Sequence, residues 1–250
     1  MKRFYPFLLF VFFAALLPLS AVAQSFKEDS TFVANNYTKI DRQIQMRDGI
    51  RLYTCIYMPK DDSQSYPILI ERTPYSCGPY GEDNYKYGGV GPSNALMKEK
   101  YIFVYQDVRG RYKSEGEFRE MTPGITAKSP ANATDESTDT YDTVDWLLKN
   151  LKNHNGKVGL WGISYPGFYA SACLPNAHPA IVAVSPQAPV TDEFIGDDCN
   201  HNGAFFLLDN FNFLNYFDGK RIADSTSYDN LFTVRPKDTY AFFLKMGPLK

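Results

Sequence analysis

Four short, unbroken apolar runs constrain this chain more than any other feature. They are "YPILIERTPY" (66–75), "YIFVYQDVRG" (101–110), Val158 to Gly162, and "AIVAVSPQAP" (180–189). A strand that is apolar on both faces belongs in a sheet covered on both sides, which is the habit of parallel sheets. The intervening segments are helical in character. A short helix is predicted over Ser93 to Lys100, and "DESTDTYDTVDWLLKN" sets Val144, Leu147 and Leu148 behind an acidic first turn, with "HNG" ending it. Ahead of these, "RQIQMRDGIRLYTCIYMP" alternates apolar and polar residues on both sides of Arg47-Asp48-Gly49, the signature of an antiparallel hairpin. The pattern predicts an α/β chain: a mainly parallel, doubly wound sheet introduced by an N-terminal antiparallel hairpin.

The chain opens with "MKRFYPFLLFVFFAALLPLSAVAQ": two cations, an apolar run from Phe7 to Leu17, and Ala21-Val22-Ala23 as a small-x-small cleavage site. The run is short for a span of about 20 residues and Pro18 interrupts it. We therefore expect a signal peptide over 1–23 and a periplasmic or secreted protein that has no membrane partner after cleavage. A polar arm is expected over 24–40, the core over 41–195, and the start of a helical cap insertion over 196–250, where "GAFFLLDNFNFLNYF" and "DTYAFFLKMGPLK" have near-helical aromatic spacing. With 44% hydrophobic residues, 250 residues suffice for one sizeable core. A net charge of −2 with scattered Lys and Arg excludes nucleic acid as an expected partner. The four cysteines, Cys55, Cys77, Cys173 and Cys199, permit disulfides in three full connectivities, but their spacing is wide, contains no CxxC and indicates no structural metal.

"GLWGISYPGFYAS" (159–171) reads as a strand, a tight turn and a helix. A serine at such a turn is lifted clear of the sheet edge, and the N–H of Tyr165 at the helix start points to where an oxyanion forms. Gly162 and Gly167 permit the close bend. Pro166 stands where G-x-S-x-G would have its second glycine, and an ordinary strand-to-helix turn with a capping serine accounts for the same letters.

The sequences "MRDGIRLYTCIYMP", "RTPY", "DVRGRYKSEGEF" and "GISYPGFYA" occur in the order and spacing of the X-Pro dipeptidyl-peptidase-like (S15) and cocaine esterase-like α/β-hydrolases, which include glutaryl acylases and α-amino acid ester hydrolases. The chain resembles that family across residues 45–170, and the family's G-x-S-Y-x-G accommodates Pro166. The resemblance implies an α/β-hydrolase fold with Ser164 as nucleophile, and with the Tyr165 N–H and the Tyr75 hydroxyl as oxyanion donors. It also implies that Asp198, in "GDDCNHNGAF", grips a substrate ammonium as part of a carboxylate cluster. The substrate is then a small molecule or short peptide, and the chemistry needs no cofactor. Asp107, Arg109, Ser114 and Gly116 read as loop braces, and Asp139, Asp142 and Asp145 as a solvated helix face or first-turn charge. Asp192, Glu193 and Asp197 accompany Asp198 beyond the last strand.

A serine nucleophile needs a base, and the chain has three histidines. His154 precedes Ser164, His178 lies before Pro179 in a loop, and His201 follows Asp192 with no strand between them to build the usual Ser, acid, His order. The economical expectation is the N-terminal part of a longer enzyme, with the sheet incomplete and the triad acid and base beyond residue 250. Two rivals remain: a non-catalytic binding protein of the same fold, and a thiol-dependent enzyme.

Overall fold

The computed structural model describes residues 26–130, 132–193, 195–218, 221 and 236–248, so the expected signal peptide and its cleavage site lie outside the described residues. Residues 26–36, read from the sequence as polar arm, form a helix (α1) that buries Val33. The first strand, β1 (Tyr37–Gln45), pairs antiparallel with β2 (Arg51–Pro59), Ile44 opposite Leu52. At the turn the Gly49 N–H donates to the Met46 carbonyl at 2.9 Å, and Gly49 takes a φ of 90°, which disfavours a side chain.

Four parallel strands follow: β3 (Tyr66–Thr73), β4 (Ile102–Asp107), β5 (His154–Ile163) and β6 (Ile181–Gln187). The sheet order is β1-β2-β4-β3-β5-β6, with β2 antiparallel to β4, so the structure is the α/β-hydrolase-like sheet expected, hairpin included. The helices α2 (Asn94–Lys98), α3 (Glu136–Asn150) and α4 (Tyr165–Ala172) connect the strands. One face packs Ile68, Ile70, Ile102, Val104, Val158 and Leu160 against Val144 and Leu147 of α3 and Ala170 of α4. The other packs Tyr57, Phe103 and Tyr105 against Val33 of α1 and Met97 of α2. Alternate residues of β4 thus enter two different cores, which is why Ile102 to Tyr105 are apolar without a break.

Two expectations are corrected and one is narrowed. "HNG" does not end α3: the helix stops at Asn150, and His154 opens β5. Of the two readings of Asp139, first-turn charge holds and the solvated face does not: it lies in the first turn of α3, 2% exposed, its carboxylate 2.7 Å from Arg109 and 3.5 Å from Arg72, because the buried Arg72 and half-buried Arg109 guanidiniums beneath α3 need counter-charge. β6 is not buried: Val182 is 63% exposed, since β6 is the sheet's edge strand. Asp142 and Asp145 do keep surface roles, pairing with Arg47 and Lys149.

Beyond β6 lie a two-residue ladder, β7 (Asn200–His201) with β8 (Ala204–Phe205), and two helices, α5 (Leu207–Phe217) and α6 (Thr239–Met246). None of the described helices is long and apolar enough to cross a membrane.

Candidate active site

The site begins at the junction of β5 and α4. Ser164 takes φ 63° and ψ −126°, a conformation that costs a residue with a Cβ roughly 1–3 kcal/mol. The bend is held from both sides: the Ser164 N–H donates to the Gln187 carbonyl of β6 at 2.9 Å, and the Ser164 carbonyl accepts from the Phe168 N–H at 3.1 Å. Two glycines are required by space. A Cβ on Gly162 would stand 2.3 Å from the Pro166 carbonyl, and one on Gly167 would stand 2.8 Å from the Gln187 oxygen. The Ser164 side chain caps nothing in α4, which removes the capping reading. Its residue is exposed, at the carboxyl end of the parallel strands, where α/β sheets bind their ligands.

Tyr165 is the first residue of α4, so its N–H has no carbonyl one turn back within the helix. Its ring is buried and its hydroxyl accepts from the Met121 N–H at 3.0 Å, which anchors the loop after β4 over the turn. Tyr75 follows β3, and its own N–H donates to the Thr73 hydroxyl at 3.0 Å. Its ring stands edge-on to Tyr165 at 6.4 Å and to Phe217 of α5 at 5.7 Å, leaving the phenol beside Ser164. Burial raises the Tyr75 phenol above its ordinary pKa while the Ser164 hydroxyl pulls it partly back, so the group is a neutral hydrogen-bond donor at pH 7.

Tyr75, Ser164, Tyr165 and Asp198 all line one cavity of about 500 Å³. The sequence reading missed other parts of its wall: Glu120 from the long loop, and Asp209, Phe213 and Leu214 from α5. Nothing local marks Glu120, which stands 44 positions before Ser164 and reaches it only because the loop folds back over α4. Glu193, noted in the sequence beside Asp198, also lines the wall. The lining holds four carboxylates, Glu120, Glu193, Asp198 and Asp209, and no Lys, Arg or His among the described residues. One oxygen each of Glu120 and Glu193 is buried without a hydrogen-bond partner. Burial pushes Glu120 up to about 7, against the pull of the Arg111 guanidinium behind it.

The three histidines stand apart from this cavity. His154 lies at the opposite end of the ten-residue β5, roughly 30 Å away, with its Nδ1 accepting from the Gly156 N–H at 3.1 Å. His178 packs its ring 4.6 Å from that of Tyr141, and His201 is exposed and stacked on Phe206. Asp107, Arg109 and Ser114 are braces, as their sequence context implied. Buried Asp107 accepts from the Cys77 N–H at 2.6 Å and the Tyr80 hydroxyl at 2.8 Å, fixing the loop that carries Tyr75. Ser114 donates to the Asp107 carbonyl at 2.6 Å, and Arg109 bridges Asp48 and Asp139.

Over 165 residues the chain is similar to the cocaine esterase of Rhodococcus sp. (strain MB1 Bresler), 28% identical, the match covering 64% of this chain and 25% of the esterase. Among solved structures it resembles an aminopeptidase from a marine sediment Thaumarchaeota archaeon, at 36% identity and a TM-score of 0.70, over 85% of this chain and 34% of that one. An α-amino acid ester hydrolase matches with the same identity, TM-score and coverage. The chain therefore spans about a quarter of the curated esterase and about a third of the two structures. Residues 48–235 match the X-Pro dipeptidyl-peptidase (S15 family), and the chain belongs to that family.

Proposed function

We propose that the chain bears the nucleophile and oxyanion donors of an exported serine hydrolase that cleaves an ester, amide or peptide bond through an acyl-enzyme. The observation that carries this reading is the Ser164 turn: a non-glycine residue held at φ 63° with its side chain free of capping duty and a phenol beside it. The Ser164 oxygen attacks the substrate carbonyl carbon. The carbonyl oxygen becomes an oxyanion that accepts from the Tyr165 N–H and the Tyr75 O–H, both in place before the charge develops. Collapse of the tetrahedral species expels the alcohol or amine, and water then releases the acyl group.

The proton of Ser164 needs an acceptor; none of the three histidines lines the cavity, which supports an acid and base supplied from outside residues 1–250. On the substrate side, four cavity carboxylates with no lining cation favour a carbonyl compound bearing a free amine, with Asp198 and Glu120 facing the ammonium. Two of the relatives bear names, aminopeptidase and α-amino acid ester hydrolase, that agree with such a substrate.

A fluorophosphonate probe tests the reading, applied to the chain, to its Ser164→Ala variant and to the protein encoded by the full reading frame. Labelling of the full protein at Ser164, absent in the variant, is the expected result. A folded full protein that takes no label would move the reading to a non-catalytic binding protein.

A further inference from the structure

We propose that Cys55 and Cys77 form a disulfide in the mature protein, a covalent clamp between strand β2 and the loop that carries Tyr75. The two sulfurs stand 3.4 Å apart, and both residues are fully buried. A disulfide S–S bond is about 2.05 Å, so closure requires about 0.7 Å from each side chain. Such a shift is of the size that rotation about χ1 supplies.

The surroundings select this pair from the four cysteines. Cys55 faces the cluster of Tyr37, Tyr57 and Tyr105, and Cys77 enters the same cluster from the loop after β3. Cys173 lies in the core on the opposite face of the sheet, and Cys199 lines the cavity beside Ser164. One bridge and two free thiols are therefore the expected oxidised state.

The position gives the bridge a purpose. Cys77 lies two residues after Tyr75, and its N–H is already held by Asp107. Between them Ser76 takes φ 92°, so the loop leaves β3 in a conformation that a side chain resists. The bridge ties that turn to a central strand and fixes the direction in which the Tyr75 phenol leaves the sheet.

The chemistry is thiol–disulfide exchange with a disulfide donor of the kind an oxidising compartment supplies. One cysteine thiolate attacks a donor sulfur, forming a mixed disulfide and releasing one donor thiolate, which takes up a proton. The second cysteine thiolate attacks the sulfur of the first, the S–S bond between Cys55 and Cys77 forms, and the second donor thiol leaves. Two cysteine thiols are oxidised, one donor disulfide is reduced, and the two thiol protons end on the donor. In the folded protein burial lifts the Cys77 thiol well above its usual pKa, so exchange belongs to the folding chain, before the aromatic cluster closes.

The test is to fold the full-length protein with oxidised glutathione, quench with acid, alkylate in denaturant and map the peptides without reduction. Among the four cysteines of residues 1–250, the expected result is alkylation of Cys173 and Cys199 and one linked pair, Cys55 to Cys77. Alkylation of both Cys55 and Cys77 in folded protein, a bridge from either of them to another cysteine, or glutathione left singly on Cys55 or Cys77 would each overturn the proposal. A second readout needs no mapping: reduction lowers the melting temperature of the oxidised protein by about 5 °C or more and leaves a Cys55→Ala/Cys77→Ala variant unmoved. Equal shifts in both proteins would show that no such clamp exists.

Discussion

Strands β4 and β6 both lie parallel to a neighbour, both begin with an apolar run and both end in a residue that matters to the site, yet their surroundings are opposite. Every residue of β4 is buried, whereas β6 has none that is fully buried. β4 lies in the middle of the sheet with helices over each face, and β6 is at its edge, covered on one side by α4. The difference separates two tasks. The β4 side supplies stability and ends in Asp107, which fixes the Tyr75 loop, while the β6 side supplies only backbone, the Gln187 carbonyl that holds Ser164 in its bend.

Substitutions on the two sides should therefore read out differently. The largest effect belongs to the site: in the full protein, Ser164→Ala should reduce fluorophosphonate labelling by about 10³-fold or more while the melting temperature stays nearly constant. Next, Ile102→Ala in β4 should cost about 2–5 kcal/mol in a urea titration, because a fully enclosed side chain leaves a cavity. A similar melting curve to wild type would break the assignment of β4 as the stabilising side.

The third effect concerns pH. Burial pushes the Asp107 carboxyl up to about 6 from 3.8, so the folded state binds the proton more tightly than the unfolded state. Its contribution is then most favourable below pH 3.8 and is lost as pH rises from there to about 6, by roughly 2–3 kcal/mol. Asp107→Asn should flatten that portion of a stability-against-pH curve, and an unchanged slope would remove Asp107 as its source. Fourth, Ser164→Gly should stabilise the fold by about 1 kcal/mol, since glycine adopts the required backbone angles without a Cβ penalty. The smallest effect is expected at the edge: Val182→Ala in β6 should stay within about 0.5 kcal/mol of wild type, and a cost near that of Ile102→Ala would show that β6 is covered in solution.

Much of this fold was legible from residue patterns alone. Apolar runs located β3 to β6, and Arg47-Asp48-Gly49 located the hairpin, because strand period and turn chemistry are local properties. The turn at Ser164 was legible for the same reason, since a strand, a turn with two glycines and a helix are contiguous. The remainder depended on distant partners. Helix α1 buries little besides Val33 and carries a polar sequence, so its periodicity is faint. Asp139 looks like surface charge until Arg72, 67 positions earlier, is seen beneath it. Glu120 joins the cavity through a loop of no regular structure, and the apolar run of β6 gives no sign that one of its faces has no cover.

The backbone at Ser164 carries a further meaning. A side chain at φ 63° is held against its own steric preference by the neighbouring strand, and glycine at that position would relieve the conflict without disturbing any capping bond. A lineage with no use for a hydroxyl there would meet no structural obstacle to drifting toward glycine. A serine at that corner of the chain therefore stands where backbone preference alone would place a glycine.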